Sequence, residues 1–359
     1  MTEQESLIST RVIKVDPEHP EEGSLREAGR IIREGGLVAF PTETVYGLGG
    51  NGLDAGASAK IYAAKGRPSD NPLILHIADP EALTDIVEEI PEAAKLLMER
   101  FWPGPLTIIF RKKDCVPYAT TGGLDTVAVR MPSHPTAQML IREAGVPIAA
   151  PSANLSGRPS PTTAEHVIRD LSGRIEMIID SGAVGIGLES TIVDVTGERP
   201  VLLRPGYITY EMLEDLLNEV QIDPVITETK PDPNLKPKAP GMKYRHYTPK
   251  GDLVIVKGPM DAVIRAINEA CEKDHAAGYT TGVLASSEAA ASYHADVVSD
   301  CGSRENLEEI AHNLFAVLRD FDEQGVEKIY AECFDGEALG MAVMNRLRKA
   351  AGYHMMTVE

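Results

Sequence analysis

Leu37-Val38-Ala39-Phe40-Pro41-Thr42-Glu43-Thr44-Val45-Tyr46-Gly47-Leu48-Gly49 is the stretch on which the reading of this chain turns. Four apolar residues fit a short buried strand, and a proline ends it. Hydroxyls and glycines follow at the strand's C-terminal end, where sheets of α/β proteins hold small polar ligands. The pattern predicts a loop over Pro41–Gly49. A glycine-rich turn with capping threonines has the same composition, so this stretch alone leaves ligand loop and plain turn both open.

Working outward, short apolar runs alternate with helical patterns up to about residue 221. The runs predict strands at Leu37–Phe40, Leu73–Ile77, Leu106–Phe110, Val127–Met131, Pro147–Ala150, Met177–Asp180, Thr191–Val195 and Val201–Arg204, with helix over Pro80–Arg100. Six prolines between residues 222 and 250 exclude continuous helix or interior strand and predict a semi-extended linker. Regular alternation resumes at 251–359. Strands are expected at Leu253–Val256, Thr281–Ser286, Ala295–Val298 and Lys328–Glu332. Helices are expected at Met260–Cys271, around Leu307–Leu318 and at Leu339–Ala350. This predicts a smaller parallel-sheet domain of Rossmann-like type. The turn Lys257-Gly258-Pro259 is not a GxGxxG fingerprint, so no dinucleotide is inferred there. The expected division is 1–221, 222–250 and 251–359.

Length, at 359 residues, is too great for one ordinary core. Composition, with 43% hydrophobic and 25% charged residues, is that of a globular cytosolic protein. No apolar run reaches membrane-span length, and the polar, acidic start lacks a signal-peptide pattern. A cytoplasmic protein is expected. Cys115, Cys271, Cys301 and Cys333 form no CxxC pair, so no zinc or redox motif is indicated. A net charge of −19 argues against stable RNA binding by bulk charge. Charge is uneven, however. Residues 231–250 carry five basic side chains against one acidic, a net of +4, whereas residues 251–359 carry 9 basic and 19 acidic, a net of −10.

Five further clusters could carry chemistry. Lys65-Gly66-Arg67-Pro68-Ser69-Asp70-Asn71-Pro72-Leu73 reads as a stiff basic loop; it is no Walker A motif, and on its own it leaves both a phosphate site and a plain solvated surface loop open. Val127-Ala128-Val129-Arg130 puts an arginine inside an apolar strand; its partner is either a ligand carboxylate or an internal Asp or Glu. Pro151-Ser152-Ala153-Asn154 is a polar SxN loop leaving a strand, with Ser160 just beyond. Glu189-Ser190-Thr191-Ile192-Val193-Asp194 and Leu202-Leu203-Arg204-Pro205-Gly206 complete the series. Together these place Lys65, Arg67, Arg130, Arg204, hydroxyls and amides at strand ends, as a pocket for an anionic, polyfunctional ligand would.

In that order, PTETVYGLG, KGRPSDNPL, SAN, ESTIVD and LRPG closely resemble the YrdC/Sua5 family of threonylcarbamoyl-AMP synthases over about residues 20–215. Ala239–Pro249 is similar to the linker of the two-domain Sua5 branch. The resemblance implies an α/β fold: a YrdC-like twisted-sheet domain with a large open cavity and a smaller Rossmann-like C-terminal domain. It implies that L-threonine, bicarbonate and ATP become threonylcarbamoyl-AMP and pyrophosphate, for t6A formation at position 37 of tRNAs reading codons that begin with A. The KxR and SxN elements, Lys65, Arg67, Ser152 and Asn154, would carry catalysis. ATP, with its Mg2+, would meet these together with Asn71, Thr126, Ser160, Arg204, Tyr244, Arg245 and His246. Threonine would lie near Thr44, His76, Arg130, Ala150 and Ser190. No resident metal is expected, and the product would pass transiently to the tRNA threonylcarbamoyl-transferase. The rivals are an RNA-binding module without chemistry and a carbamoyltransferase; the latter would be expected to carry acylphosphatase or zinc-finger motifs, which are not seen.

Overall fold

The computed structural model describes residues 8–227, 237–240, 242, 246–336 and 338–359. Among these, the first part of the chain forms one mixed sheet from β1 (Arg11–Lys14), β2 (Val38–Phe40), β3 (Gly47–Asn51), β4 (Ile74–His76), β5 (Leu106–Arg111), β6 (Thr126–Arg130), β7 (Ile148–Ala149), β8 (Met177–Asp180), β9 (Thr191–Asp194), β10 (Val201–Arg204) and β11 (Gln221–Ile222). Their spatial order is β1-β8-β2-β3-β7-β4-β6-β5-β9-β10-β11.

The opening stretch departs from its reading as a loop throughout. Gly47-Leu48-Gly49-Gly50-Asn51 is β3, antiparallel to β2 with Phe40 opposite Gly47, and antiparallel on its other side to β7. Its glycines serve close packing. A Cβ on Gly49 would lie 2.8 Å from Ile148 and 2.9 Å from the Phe40 ring. The loop is thus only Pro41–Tyr46, pinned between two strands.

Prolines also shorten an expected helix. Pro80–Arg100 resolves into a short 3-10 turn at Pro80–Ala82, one helical turn at Leu83–Ile86 and a helix at Glu92–Phe101 that begins after Pro91. In the linker, Pro224 starts a single helical turn, Pro224–Thr227.

The second sheet is β12 (Asp252–Lys257), β13 (Thr281–Ala285), β14 (Val297–Asp300), β15 (Lys328–Glu332) and β16 (Met355–Thr357), ordered β14-β13-β15-β12-β16 with every pairing parallel. Helix Met260–Ala276 covers one face. Helices Leu307–Glu323 and Leu339–Ala350 cover the other, and the core beneath them takes in Val45, Leu188 and Tyr247 from outside this domain. The two domains therefore share apolar packing next to the loops that the sequence singled out. At Gly187 (φ +87°) the approach is so close that a Cβ would meet the backbone of His312 at 2.5 Å. The His312 ring also lies 2.9 Å from the Gly185 carbonyl oxygen.

Candidate active site

Lys65 is not in a loop. Asp54 caps the helix Ala55–Lys65 by accepting from the Gly56 amide at 2.8 Å, and Gly66 (φ +61°) ends it. Lys65 is thus the last helical residue, where the carbonyl end of a helix favours a cation. It is 2% exposed, and its ammonium donates to the carbonyls of Ser152 and Asn154. Burial, then the nearby Arg67, holds its pKa well below the usual lysine value. The SxN loop closes on itself: Ser152 Oγ donates to Asn154 Oδ1 at 2.6 Å, and Asn154 Nδ2 donates to the Leu155 and Arg158 carbonyls. It is zipped to the Pro41–Tyr46 loop, with the Ala153 amide on the Tyr46 carbonyl at 2.8 Å and the Leu48 amide on Pro151.

Arg67 donates to the carbonyls of Asn71 (3.4 Å) and Pro72 (3.1 Å), so the loop's own backbone aims it. Lys65, Arg67, Ser152 and Asn154 share one cavity with Thr44, His76, Arg130, Ala150, Ser190 and Arg204.

At one end, Arg130 and His76 are register partners on the parallel pair β4–β6. Arg130 settles the question that its sequence left open, since its buried guanidinium pairs with an internal carboxylate, Glu43, at 2.7 Å. The two meet out of line, so the contact is an ion pair rather than a well-formed hydrogen bond. Arg130 also donates to Thr44 Oγ1 (2.8 Å) and to the Gly104 carbonyl (3.3 Å). Burial acts to raise the Glu43 pKa, but Arg130 outweighs it and the net shift is down. Burial, with Arg130 adding to it, pushes His76 down to about 3, so this ring is neutral.

At the other end, Arg204 donates to the Ser190 carbonyl (3.0 Å), to Ser190 Oγ (3.1 Å) and to the Pro240 carbonyl (3.4 Å). Burial pushes it down to about 10, still charged near neutrality. Ser190 Oγ also meets Thr107 Oγ1 at 2.7 Å. Glu189 lines this end as well. Of the linker, Pro240, His246 and Tyr247 line the cavity. The Thr248 amide donates to the Gly157 carbonyl at 2.8 Å, and the Tyr247 ring packs 5.0 Å from Phe315. Tyr244 and Arg245 lie outside the described residues.

Three predicted contacts do not reach the lining. Ser160 is fully buried one layer behind it, donating to Glu189 Oε1 at 2.5 Å. Asn71 is buried behind Arg67, its Oδ1 without a hydrogen-bond partner among the described residues. Thr126 opens β6 opposite Arg111, four residues from Arg130, and a strand of that length separates the two by roughly 13 Å.

With this geometry established, the comparisons with known proteins are specific. A protein from Pyrococcus abyssi named threonylcarbamoyl-AMP synthase is 52% identical over 341 residues, spanning 95% of this chain and 98% of its own. The Sua5/YciO/YrdC family model, described as telomere recombination, matches residues 30–206, and a model described as the threonylcarbamoyl-AMP synthase C-terminal domain matches residues 208–352. The chain belongs to the Sua5/YrdC family. A Bacillus subtilis threonylcarbamoyl-AMP synthase is 51% identical, with 91% of this chain and 93% of that protein covered. The crystal structure of P. abyssi Sua5 complexed with L-threonine superposes with a TM-score of 0.92 at 52% identity, over 98% of this chain and all of that one. Escherichia coli YciO matches 55% of this chain and 96% of its own at 27% identity, with a TM-score of 0.51.

Sequence reasoning missed four residues. Glu43 and Glu189 stood inside the quoted motifs, but a carboxylate beside hydroxyls carries no mark of its partner. Arg319 and Arg346 lie in helices of the second domain, and nothing in their helical pattern singled them out. Arg346 is wholly buried against Glu189, and Arg319 is buried against Asp170 at 2.9 Å.

Proposed function

We propose that this chain makes threonylcarbamoyl-AMP from L-threonine, bicarbonate and ATP, as an adenylyl-transferring enzyme that releases pyrophosphate. The observation that carries the reading is one cavity with a cationic end, Lys65, Arg67 and Arg204, and a second end where Arg130, Thr44 and neutral His76 converge. Near-full-length similarity to the P. abyssi protein supports it.

The threonine amine attacks carbon dioxide drawn from bicarbonate, gives up a proton and becomes a carbamate. A carbamate oxygen then attacks the α-phosphorus of ATP, and the bond to pyrophosphate breaks. No protein nucleophile is required, so the site's work is positioning and charge. Arg130 has donors beyond its Glu43 contact and takes the threonine carboxylate, and Thr44 orients the remainder; Ser190 is hydrogen-bonded to Arg204 and acts with it. His76, being neutral, accepts or donates a hydrogen bond without adding charge. Arg67, Lys65 and Arg204 face the triphosphate, Arg67 with the planar fork that suits phosphate oxygens. Mg2+ comes with ATP as part of the substrate. Ser152 and Asn154 fix the SxN loop against Lys65. Asn71 and Ser160 act from one layer behind. Both the carbamate and its mixed anhydride are labile in water, and His246 and Tyr247 belong to a cover that excludes it. A labile product suits direct transfer to the enzyme that modifies tRNA.

Incubation with ATP, L-threonine and carbon-13 bicarbonate, read by mass spectrometry, tests this. An adenylate one mass unit heavier than with ordinary bicarbonate, absent without threonine, is expected. ATP turnover without that adenylate would overturn the reading.

A further inference from the structure

We infer that Arg346, carried by the C-terminal domain, is a positioning residue for the phosphate end of the cavity. It acts through Glu189. The inference rests on the proposed placement of ATP beside Arg204 and Lys65.

Arg346 lies on helix Leu339–Ala350 and is the largest fully buried side chain among the described residues. A guanidinium so placed needs partners for its donors. All of those recorded except Asn345, its neighbour on the helix, belong to the other domain. Nε donates to Glu189 Oε2 at 3.0 Å, Nη2 to the Glu189 carbonyl at 3.1 Å, and Nη1 to the Pro205 carbonyl. Glu189 and Arg204, the residue before Pro205, both line the cavity. One side chain from the second domain thus ties together the two strand-end loops that present Ser190 and Arg204.

Charge gives this tie a consequence. Glu189 is an anion on the wall of a site for a polyanion. From behind it faces Arg346 and Lys349 of the same helix; from the sides it faces Arg204, Ser160 and Tyr247. Without Arg346, Glu189 would be left to repel a triphosphate and to draw Arg204 toward itself. Neutralising it from outside the cavity leaves Arg204 available to ligand.

Arg319 adds a second tie of the same kind. It donates to Asp170 Oδ2 (2.9 Å) and to the Pro159 carbonyl (2.6 Å), and Asp170 in turn accepts from the Leu155 amide at 3.2 Å and from Arg158 at 2.9 Å. The loop that runs from Ser152 to Ser160 is therefore also braced from the C-terminal domain.

The test is threonine-dependent pyrophosphate release by full-length wild type, Arg346→Gln, Arg346→Lys, Glu189→Gln and the Glu189→Gln/Arg346→Gln double variant, with KM for ATP and threonine and thermal melting followed in each. Arg346→Gln is expected to raise KM for ATP by about tenfold or more while KM for threonine stays within about twofold. The double variant, which carries no uncompensated charge, is expected to return KM for ATP to within about threefold of wild type. Arg346→Lys, able to keep the charge but not the three-way tie, falls between. An unchanged KM for ATP in Arg346→Gln overturns the inference, as does a double variant no better than the single. If Arg346→Gln does not fold, the double variant is compared with Glu189→Gln alone: similar KM for ATP supports the inference, and a tenfold gap, or failure of the double variant to fold, overturns it. Wild-type release that ignores threonine would instead defeat the proposed function, leaving the two failures distinguishable.

Discussion

The two ends of the cavity are built differently. The end proposed for threonine is complete within one domain: Arg130 has its counter-charge in Glu43, its aim from Thr44 and Gly104, and its neighbour His76 on the adjacent strand. The end proposed for the ATP phosphates is assembled from both domains and the linker, since Glu189 is neutralised by Arg346 and Arg204 reaches Pro240. A site for one carboxylate needs one well-held arginine. A site for a polyanion needs several cations close together, which repel one another and have to be held by more structure.

Breaking the phosphate end directly should have the largest effect. Arg67→Ala removes a cation that the loop backbone aims at the cavity, and kcat/KM should fall by about a thousandfold, measured by pyrophosphate release. Arg130→Ala comes next, raising KM for threonine by about a hundredfold while KM for ATP changes little. It also strands Glu43 as a buried unpaired carboxylate, at a cost of about 3 kcal/mol seen in chemical denaturation. Arg130→Ala combined with Glu43→Gln should recover most of that stability but none of the threonine affinity, which separates the two roles of Arg130. Arg319→Met should have the smaller catalytic effect and should chiefly loosen the domain contact, lowering the melting temperature by several degrees.

The contrast has a pH counterpart. Glu189 and Asp170 have folded-state pKa values below their ordinary 4.5 and 3.8, because Arg346 with Arg204, and Arg319 with Arg158, outweigh burial. Depressed carboxylates contribute stability that is fully present above their ordinary values and is lost as pH falls through the folded ones. The domain contact should therefore weaken below about pH 4, read as increased amide exchange at Gly187 and His312. Loss of that contact with rising pH between 6 and 8 would contradict the assignment.

How much of this was legible in the sequence depended on what each element's pattern encoded. Central strands with buried faces, such as Leu106–Arg111 and Lys328–Glu332, announced themselves by apolar runs. The edge strand Arg11–Lys14 is mostly exposed and carried no such run. Gly47–Asn51 was misread because its glycines, needed so that β2, β3 and β7 can pack, look like turn residues. Strand-end cations were recoverable because arginine in an apolar strand is conspicuous; that applied to Arg130 and Arg204. Arg346 and Arg319 were not, since amphipathic helices carry arginine as a matter of course and only the packing of one domain on the other turns those faces inward.

The most direct measurement of the central claim is pyrophosphate release from ATP by the purified chain with threonine and bicarbonate omitted in turn. Release that requires both co-substrates is the predicted result. Release at the same rate without threonine, or none with all three present, would contradict it.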